Sequence, residues 1–257
     1  MRETQTARTY TITNQKGGAG KTTTAAALAS GLALKGYNPL LIDLDPQTNL
    51  SFCTGARTTG ASILGVLTGE ISAAAAIQHT GAGDIIPASK HLSGADLLFT
   101  DTGKEYRLKE ALEPLRGQYS HIIIDTPPAL GVLTVNALTA SEGLIIPAQA
   151  DIFSLQGIER LSETLQPVRK YTNPGLKIEG ILLTRYAARS VLSREISELA
   201  QQIAARLQTK VFRATIRDSV TVKEAQISKQ TLFQYAPRAK VTADYAAFID
   251  ELLTEGR

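Results

Sequence analysis

The chain has one cysteine, one methionine, no tryptophan and three histidines, and aromatic residues make up only 5% of its 257 positions. A single cysteine excludes an internal disulfide and any metal site built from two or four thiolates of one chain, and it suits a reducing compartment. Cys53 has no histidine or basic cluster beside it in sequence, so it reads as a small packing residue rather than a nucleophile. His79, His91 and His121 have no metal-like spacing. No apolar run approaches the ~18 residues that a membrane-crossing helix needs, and the polar opening MRETQTART lacks the apolar stretch of a signal peptide. The expectation is a soluble, cytoplasmic protein without a membrane partner. A base-reading N-K-x-D motif is also missing, which disfavours a GTPase.

Hydrophobic residues at 43% and charged residues at 20% are those of an ordinary soluble protein, and the length allows one large α/β domain. We expect a single domain over residues 1–257, frayed over residues 1–8, with no room for a DNA-reading helix-turn-helix ahead of Thr9.

Thr9 to Ala33, TYTITNQKGGAGKTTTAAALASGLA, reads as a buried strand, a glycine loop and an alanine-rich helix. The N–H groups of such a loop, opening at a helix N-terminus, form a concavity for phosphate oxygens. Lys21 supplies a charge for the β- and γ-phosphates, and the Thr22 hydroxyl is placed to ligate Mg²⁺. Gln15 stands where the ordinary G-x-x-x-x-G-K-[ST] loop has its first glycine, and a second lysine, Lys16, comes next. One of the two lysines is surplus to the phosphates that one loop can hold.

Two apolar runs end in acid. Asn38 to Asp43 (NPLLID) continues to Asp45 and Pro46, which places two carboxylates on one side of an extended chain. His121 to Asp125 (HIIID) runs into TPPALG and looks like a Walker B strand, with Asp125 able to hold the hydration shell of Mg²⁺ and residues 126–131 able to sense a γ-phosphate. Short strands are also expected at Asp84 to Pro87, Gly143 to Pro147, Ile178 to Thr184 and Lys210 to Ile216. Helices are expected around 104–115, 155–171 and 191–207, with two short ones between Ala56 and Gln78. Strand and helix alternating in this way imply a doubly wound, mainly parallel sheet with helices on both faces.

KGGAGKTT resembles the deviant Walker A motif of the ParA/MinD family, and LLIDLDPQTN, DTPPALGVLTVNALTASEGLIIPAQ and the segment from Arg217 to Leu253 are similar to that family as well. The resemblance covers nearly the whole chain. It implies ATP and Mg²⁺ as ligands, with Lys16, Gly17, Gly18, Ala19, Gly20, Lys21, Thr22 and Thr23 around the nucleotide. It further implies that Lys16 reaches across an ATP-dependent sandwich homodimer to the partner's phosphates, and that Asp45 positions the attacking water. Asp43 would support the loop or the metal shell, and Asn136 is a further candidate for nucleotide contact. The family's ATP-bound dimers bind DNA without sequence preference and are released when a ParB-like, centromere-binding partner stimulates hydrolysis, a nucleoid-associated cycle that segregates chromosomes or plasmids. Thr221, Ile216 and Ala187 depart from residues common in the family.

Charge is uneven. From Arg185 to Lys240 there are eleven basic and four acidic residues, a surplus of seven in a chain whose net charge is only +3. A basic C-terminal third on a slightly acidic body fits a polyanion. Arg189, Arg217 and Lys223 are the foremost DNA-contact candidates, followed by Arg185, Arg194, Lys229, Arg238 and Lys240. The alternatives are a cargo-positioning relative with the same cycle and a MinD-like membrane ATPase, which the short acidic tail AFIDELLTEGR disfavours. An iron-sulfur reductase relative would need cysteines that are missing.

Overall fold

The apolar runs become the strands of one sheet. The computed structural model describes residues 6–187 and 191–255. Seven strands, β1 (Arg8–Ile12), β2 (Pro39–Asp43), β3 (Gln78–Thr80), β4 (Gly83–Ile86), β5 (His121–Asp125), β6 (Gly143–Gln149) and β7 (Lys177–Thr184), lie in the order β3-β4-β2-β5-β1-β6-β7. Every pairing is parallel except β3 with β4. Parallel neighbours need crossovers, and the helices supply them on both faces. These are α1 (Lys21–Leu34), α2 (Asn49–Thr54), α3 (Ile63–Leu67), α4 (Ala73–Ala76), α5 (Ala95–Leu98), α6 (Arg107–Leu112), α7 (Val132–Ala140), α8 (Ile152–Pro167), α9 (Val191–Arg206), α10 (Val220–Ile227), α11 (Leu232–Tyr235) and α12 (Lys240–Glu255).

The pleat sorts side chains between the faces. In β5, Ile122 and Ile124 join the core under α3, α6 and α7, whereas Ile123 points into the opposite core with Leu28, Tyr245, Phe248 and Ile249. A third core lies beneath α8 and α9, against Leu144, Ile146, Ile181 and Leu183. Complete burial of one such side chain contributes roughly 1.5–3 kcal/mol, and α12 is held in the core by Val241, Tyr245, Phe248, Ile249 and Leu252 together.

The expected doubly wound sheet is thus present, and three local expectations are corrected. Lys210 to Ile216 forms no strand; Val211 and Ile216 make isolated bridges to β7, while the Arg213 and Ala214 N–H groups between them donate to the Glu251 carboxylate. The two short helices expected between Ala56 and Gln78 are present as α3 and α4, and the short antiparallel β3 follows them. The helix expected at 155–171 begins at Ile152 and loosens at Pro167 into a π-turn over Val168–Thr172. Within the stretch expected to fray, Ala7 and Arg8 are ordered into the fold: Ala7 is buried, its N–H donates to the Arg116 carbonyl, and Arg8 opens β1.

Candidate nucleotide site

The carboxyl ends of β1, β2 and β5 meet at one cavity of about 350 Å³, whose lining includes Gly17, Gly18, Gly20, Lys21, Thr22, Thr23 and Asp45. Open parallel sheets place ligands at this end. The loop from Thr13 to Gly20 turns here from β1 into α1. Gly18 and Gly20 have φ of 77° and 94°, a left-handed backbone that L side chains rarely adopt. At Gly20 a Cβ would also stand 3.4 Å from the Thr184 methyl.

The loop is held from outside itself. Thr184 Oγ1 donates to the Ala19 carbonyl (2.9 Å), Gln149 Nε2 to the Gly18 carbonyl (2.5 Å) and Asn14 Nδ2 to the Pro147 carbonyl (2.8 Å). The ends of β6 and β7 therefore shape the loop. No sequence signal marks Asn14, Gln149 or Thr184, because each acts through a partner more than 130 residues away.

Lys21 is buried, with its ammonium 3.4 Å from the Lys16 carbonyl. Burial lowers its pKa, opposed by the charges of Asp125 and Asp45. Thr22 Oγ1 donates to Asp125 Oδ2 at 2.7 Å, joining the two residues assigned to Mg²⁺. Asp125 is fully buried, and burial together with the nearby Asp43 raises its pKa well above the carboxylate range. Its Oδ1 has no hydrogen-bond partner among the described residues. A buried, unpaired carboxylate oxygen beside a threonine hydroxyl is a donor set that suits a hard divalent cation.

Asp43 and Asp45 take different work. Asp43 accepts from the Asp45 N–H (3.0 Å) and from the N–H and hydroxyl of Ser51 (2.8 and 2.7 Å). Burial raises its pKa to about 6, against the pull of those bonds. These bonds tie the end of β2 to the start of α2. Asp45 Oδ1 accepts the Gln47 N–H at 2.9 Å, and Asp45 itself lines the cavity. Asn136 is corrected: it is fully buried, accepts from the Leu108 N–H and donates to the Lys104 and Val132 carbonyls, so it fastens α7 to α6 and does not line the cavity.

Lys16 turns away from the cavity. Its ammonium donates to Gln149 Oε1 (3.1 Å) and to Asp151, the N-cap of α8, and lies 6.0 Å from the Phe153 ring. The DNA candidates separate into groups. Arg217 is held by a two-point ion pair with Asp244 at 2.6 and 2.7 Å, and Arg185 faces Asp218 at 3.8 Å. Both line the nucleotide cavity, as does Lys223. Arg194, Lys229, Arg238 and Lys240 are exposed. Arg189 lies outside the described residues. Helix α10 runs between these regions: Gln226 Nε2 donates to Thr23 Oγ1 at 3.1 Å, and just past its end Lys229 stands over the Phe52 ring of α2 at 5.4 Å.

A family profile described as "AAA domain" matches residues 7–178. The chromosome partitioning protein ParA of Caulobacter vibrioides is 38% identical over 97% of this chain and 95% of its own length. The sporulation initiation inhibitor protein Soj of Bacillus subtilis is 37% identical over 95% and 98%. Among solved structures, one titled cobyrinic acid a,c-diamide synthase from Mycobacterium smegmatis, with bound ADP and magnesium, superposes with a TM-score of 0.84 at 35% identity, covering 98% of this chain and 97% of that one. Two lysines bracketing a glycine loop, two adjacent acid-ended strands beside it and full-length likeness to partition proteins agree: the chain belongs to the ParA/Soj family of P-loop proteins.

Proposed function

We propose that this protein is an ATP-dependent DNA-segregation ATPase: ATP joins two subunits face to face, the dimer binds DNA without sequence preference, and hydrolysis stimulated by a ParB-like partner releases it. The observation that carries this reading is the placement of the two lysines. Lys21 lies in its own subunit's cavity, while Lys16 is parked outside it on Asp151 and Gln149, available to a second subunit. The glycine-loop N–H groups and Lys21 hold the phosphates of ATP. Thr22 and Asp125 would hold Mg²⁺, which supplies positive charge to the β- and γ-phosphates. Asp45, at the cavity wall, orients a water toward the γ-phosphorus; the new P–O bond forms as the bond to ADP breaks.

DNA contact falls to the exposed cations of the C-terminal third. Lys223, Arg194, Lys229, Arg238 and Lys240 carry no ion pair among the described residues. Arg217 is neutralised by Asp244, which supports a bracing role over direct phosphate contact. The membrane-bound alternative loses support from α12, whose apolar face of Val241, Tyr245, Phe248, Ile249 and Leu252 is buried in the core. Cargo positioning by the same cycle differs only in what the partner carries.

Light scattering with ATP tests the reading. Wild-type protein should double in mass with ATP and remain monomeric with ADP, and Lys16→Gln should bind ATP yet stay monomeric. Normal dimers of Lys16→Gln would refute the role of Lys16 across the interface.

A further inference from the structure

Away from the nucleotide cavity, an open groove of about 540 Å³ runs along the antiparallel edge of the sheet. Its walls come from three places: the end of α2 with the adjoining loop (Thr54 to Arg57), the β3 hairpin (Ile77 to Gly81), and Lys229 after α10. None of the lining residues is acidic. The walls are tied together. Arg57 and Gln78 exchange two hydrogen bonds, from the Arg57 N–H to Gln78 Oε1 (2.9 Å) and from Gln78 Nε2 to the Arg57 carbonyl (3.0 Å). Gln234 Nε2 donates to the Gly81 carbonyl (3.1 Å), fixing α11 to the hairpin tip.

Two permanent cations stand over this groove. Lys229 is exposed and rests on the Phe52 ring, and Arg57 is exposed on a backbone that Gln78 clamps. Neither enters an ion pair among the described residues, unlike Arg185, Arg206 and Arg217. The third nitrogen-bearing side chain, His79, is engaged by Asp84, with Nδ1 2.6 Å from Oδ1. Two unpaired cations on a preformed polar groove, with no carboxylate in its lining, suit the phosphates of a polyanion.

We propose that this groove carries the backbone of duplex DNA, and that Arg57, far in sequence from the basic C-terminal third, is a phosphate contact of the same surface as Lys229. This rests on the DNA-binding reading above. Because Arg57 contacts phosphate rather than a base edge, it should add affinity and salt dependence without sequence preference.

The test is a salt titration of binding to unrelated duplexes, with ATP, for wild type, Arg57→Ala, Arg57→Lys and the pair Arg57→Glu with Lys229→Glu. Arg57→Ala should flatten the slope of log K against log salt by about 0.9 for each phosphate that a subunit no longer neutralises. Arg57→Lys should restore the slope, and the double charge reversal should lose retention on DNA while ATP-driven dimerisation continues. Identical slopes for wild type and Arg57→Ala, where wild type binds, would overturn the groove and leave the DNA-binding reading standing. Wild type that ignores DNA in the presence of ATP would overturn both. Competition by free inorganic phosphate at millimolar concentration, with no loss of DNA binding on charge reversal, would mark the groove as a small-anion site and also overturn the proposal.

Discussion

Removing the charge of Asp151 should tighten ATP-driven dimerisation. The parked Lys16 must leave Asp151 before it can reach another subunit, so the ion pair opposes assembly. The pair joins side chains that are 25% and 30% exposed, and pairs of that kind contribute roughly 0.2–1 kcal/mol. A symmetric dimer releases two lysines. The opposition therefore amounts to about 0.4–2 kcal/mol, equivalent to about 2- to 30-fold in the dimer dissociation constant. Asp151 also caps α8, accepting the Ser154 N–H at 2.9 Å, so alanine would confound the result with a loss of about 1 kcal/mol of helix stability. Asparagine caps about as well as aspartate, which makes Asp151→Asn the informative variant. Sedimentation across protein concentration, with a slowly hydrolysed ATP analogue, gives the constant directly. An unchanged or weaker constant for Asp151→Asn, in a protein of undiminished thermal stability, would refute the idea that the pair restrains Lys16.

Three further outcomes are expected. Asp45→Ala should bind ATP and dimerise, yet lose on the order of 10²-fold or more in partner-stimulated turnover; undiminished phosphate release would remove Asp45 from the reaction. Gly31→Ala in α1 should be destabilising, because the new methyl would stand 2.2 Å from Ile249 Cδ1 and 3.2 Å from the Phe233 ring. Overpacking costs about 1–3 kcal/mol against a gain of about 1 kcal/mol in helix propensity. Adding Ile249→Val deletes the colliding atom, so a double variant that melts lower than the sum of the single losses predicts would contradict this packing. His121 is buried beside Tyr10 and Tyr37, and burial, with the Arg8 charge second, lowers its pKa to about 4. The unfolded chain takes up this proton first as pH falls, so the contribution is complete above about pH 6.5 and is lost progressively toward pH 4. Denaturant unfolding of wild type should weaken more between pH 7 and pH 5 than that of His121→Phe; equal weakening would rule the imidazole out.

The parts of the site that are legible in the sequence are those made by neighbours along the chain. Gly18, Gly20, Lys21 and Thr22 act within one turn of each other, and Ile122 to Asp125 announces a buried strand by its composition alone. What is illegible depends on distant partners. Nothing near Lys16 points to its resting place, which lies 133 and 135 residues away at Gln149 and Asp151. Asn136 sits in a segment that resembles the family, and only the core reveals that its amide is consumed by α6 and α7. Lys210 to Ile216 has a strand's composition, but Glu251 takes the N–H groups of Arg213 and Ala214 that a neighbouring strand would need. In the basic third, sequence counts charge without its counter-ions, so Arg217 ranks high although Asp244 neutralises it.

Helix α10 has a consequence for how this protein can be dissected by mutation. Within eight residues it presents Lys223 to the cavity mouth, Gln226 to the P-loop threonine and Ala225 to the core, and its end delivers Lys229 to the Phe52 ring. A rigid rod of that length transmits a shift at one contact to the others. Substitutions at Val222, Ala225 or Gln226 will therefore mix effects on folding, nucleotide and DNA in a single measurement. A charge swap at the exposed Lys229, which does not line the nucleotide cavity, separates them, because its removal leaves the seating of the rod on α1 and α2 intact.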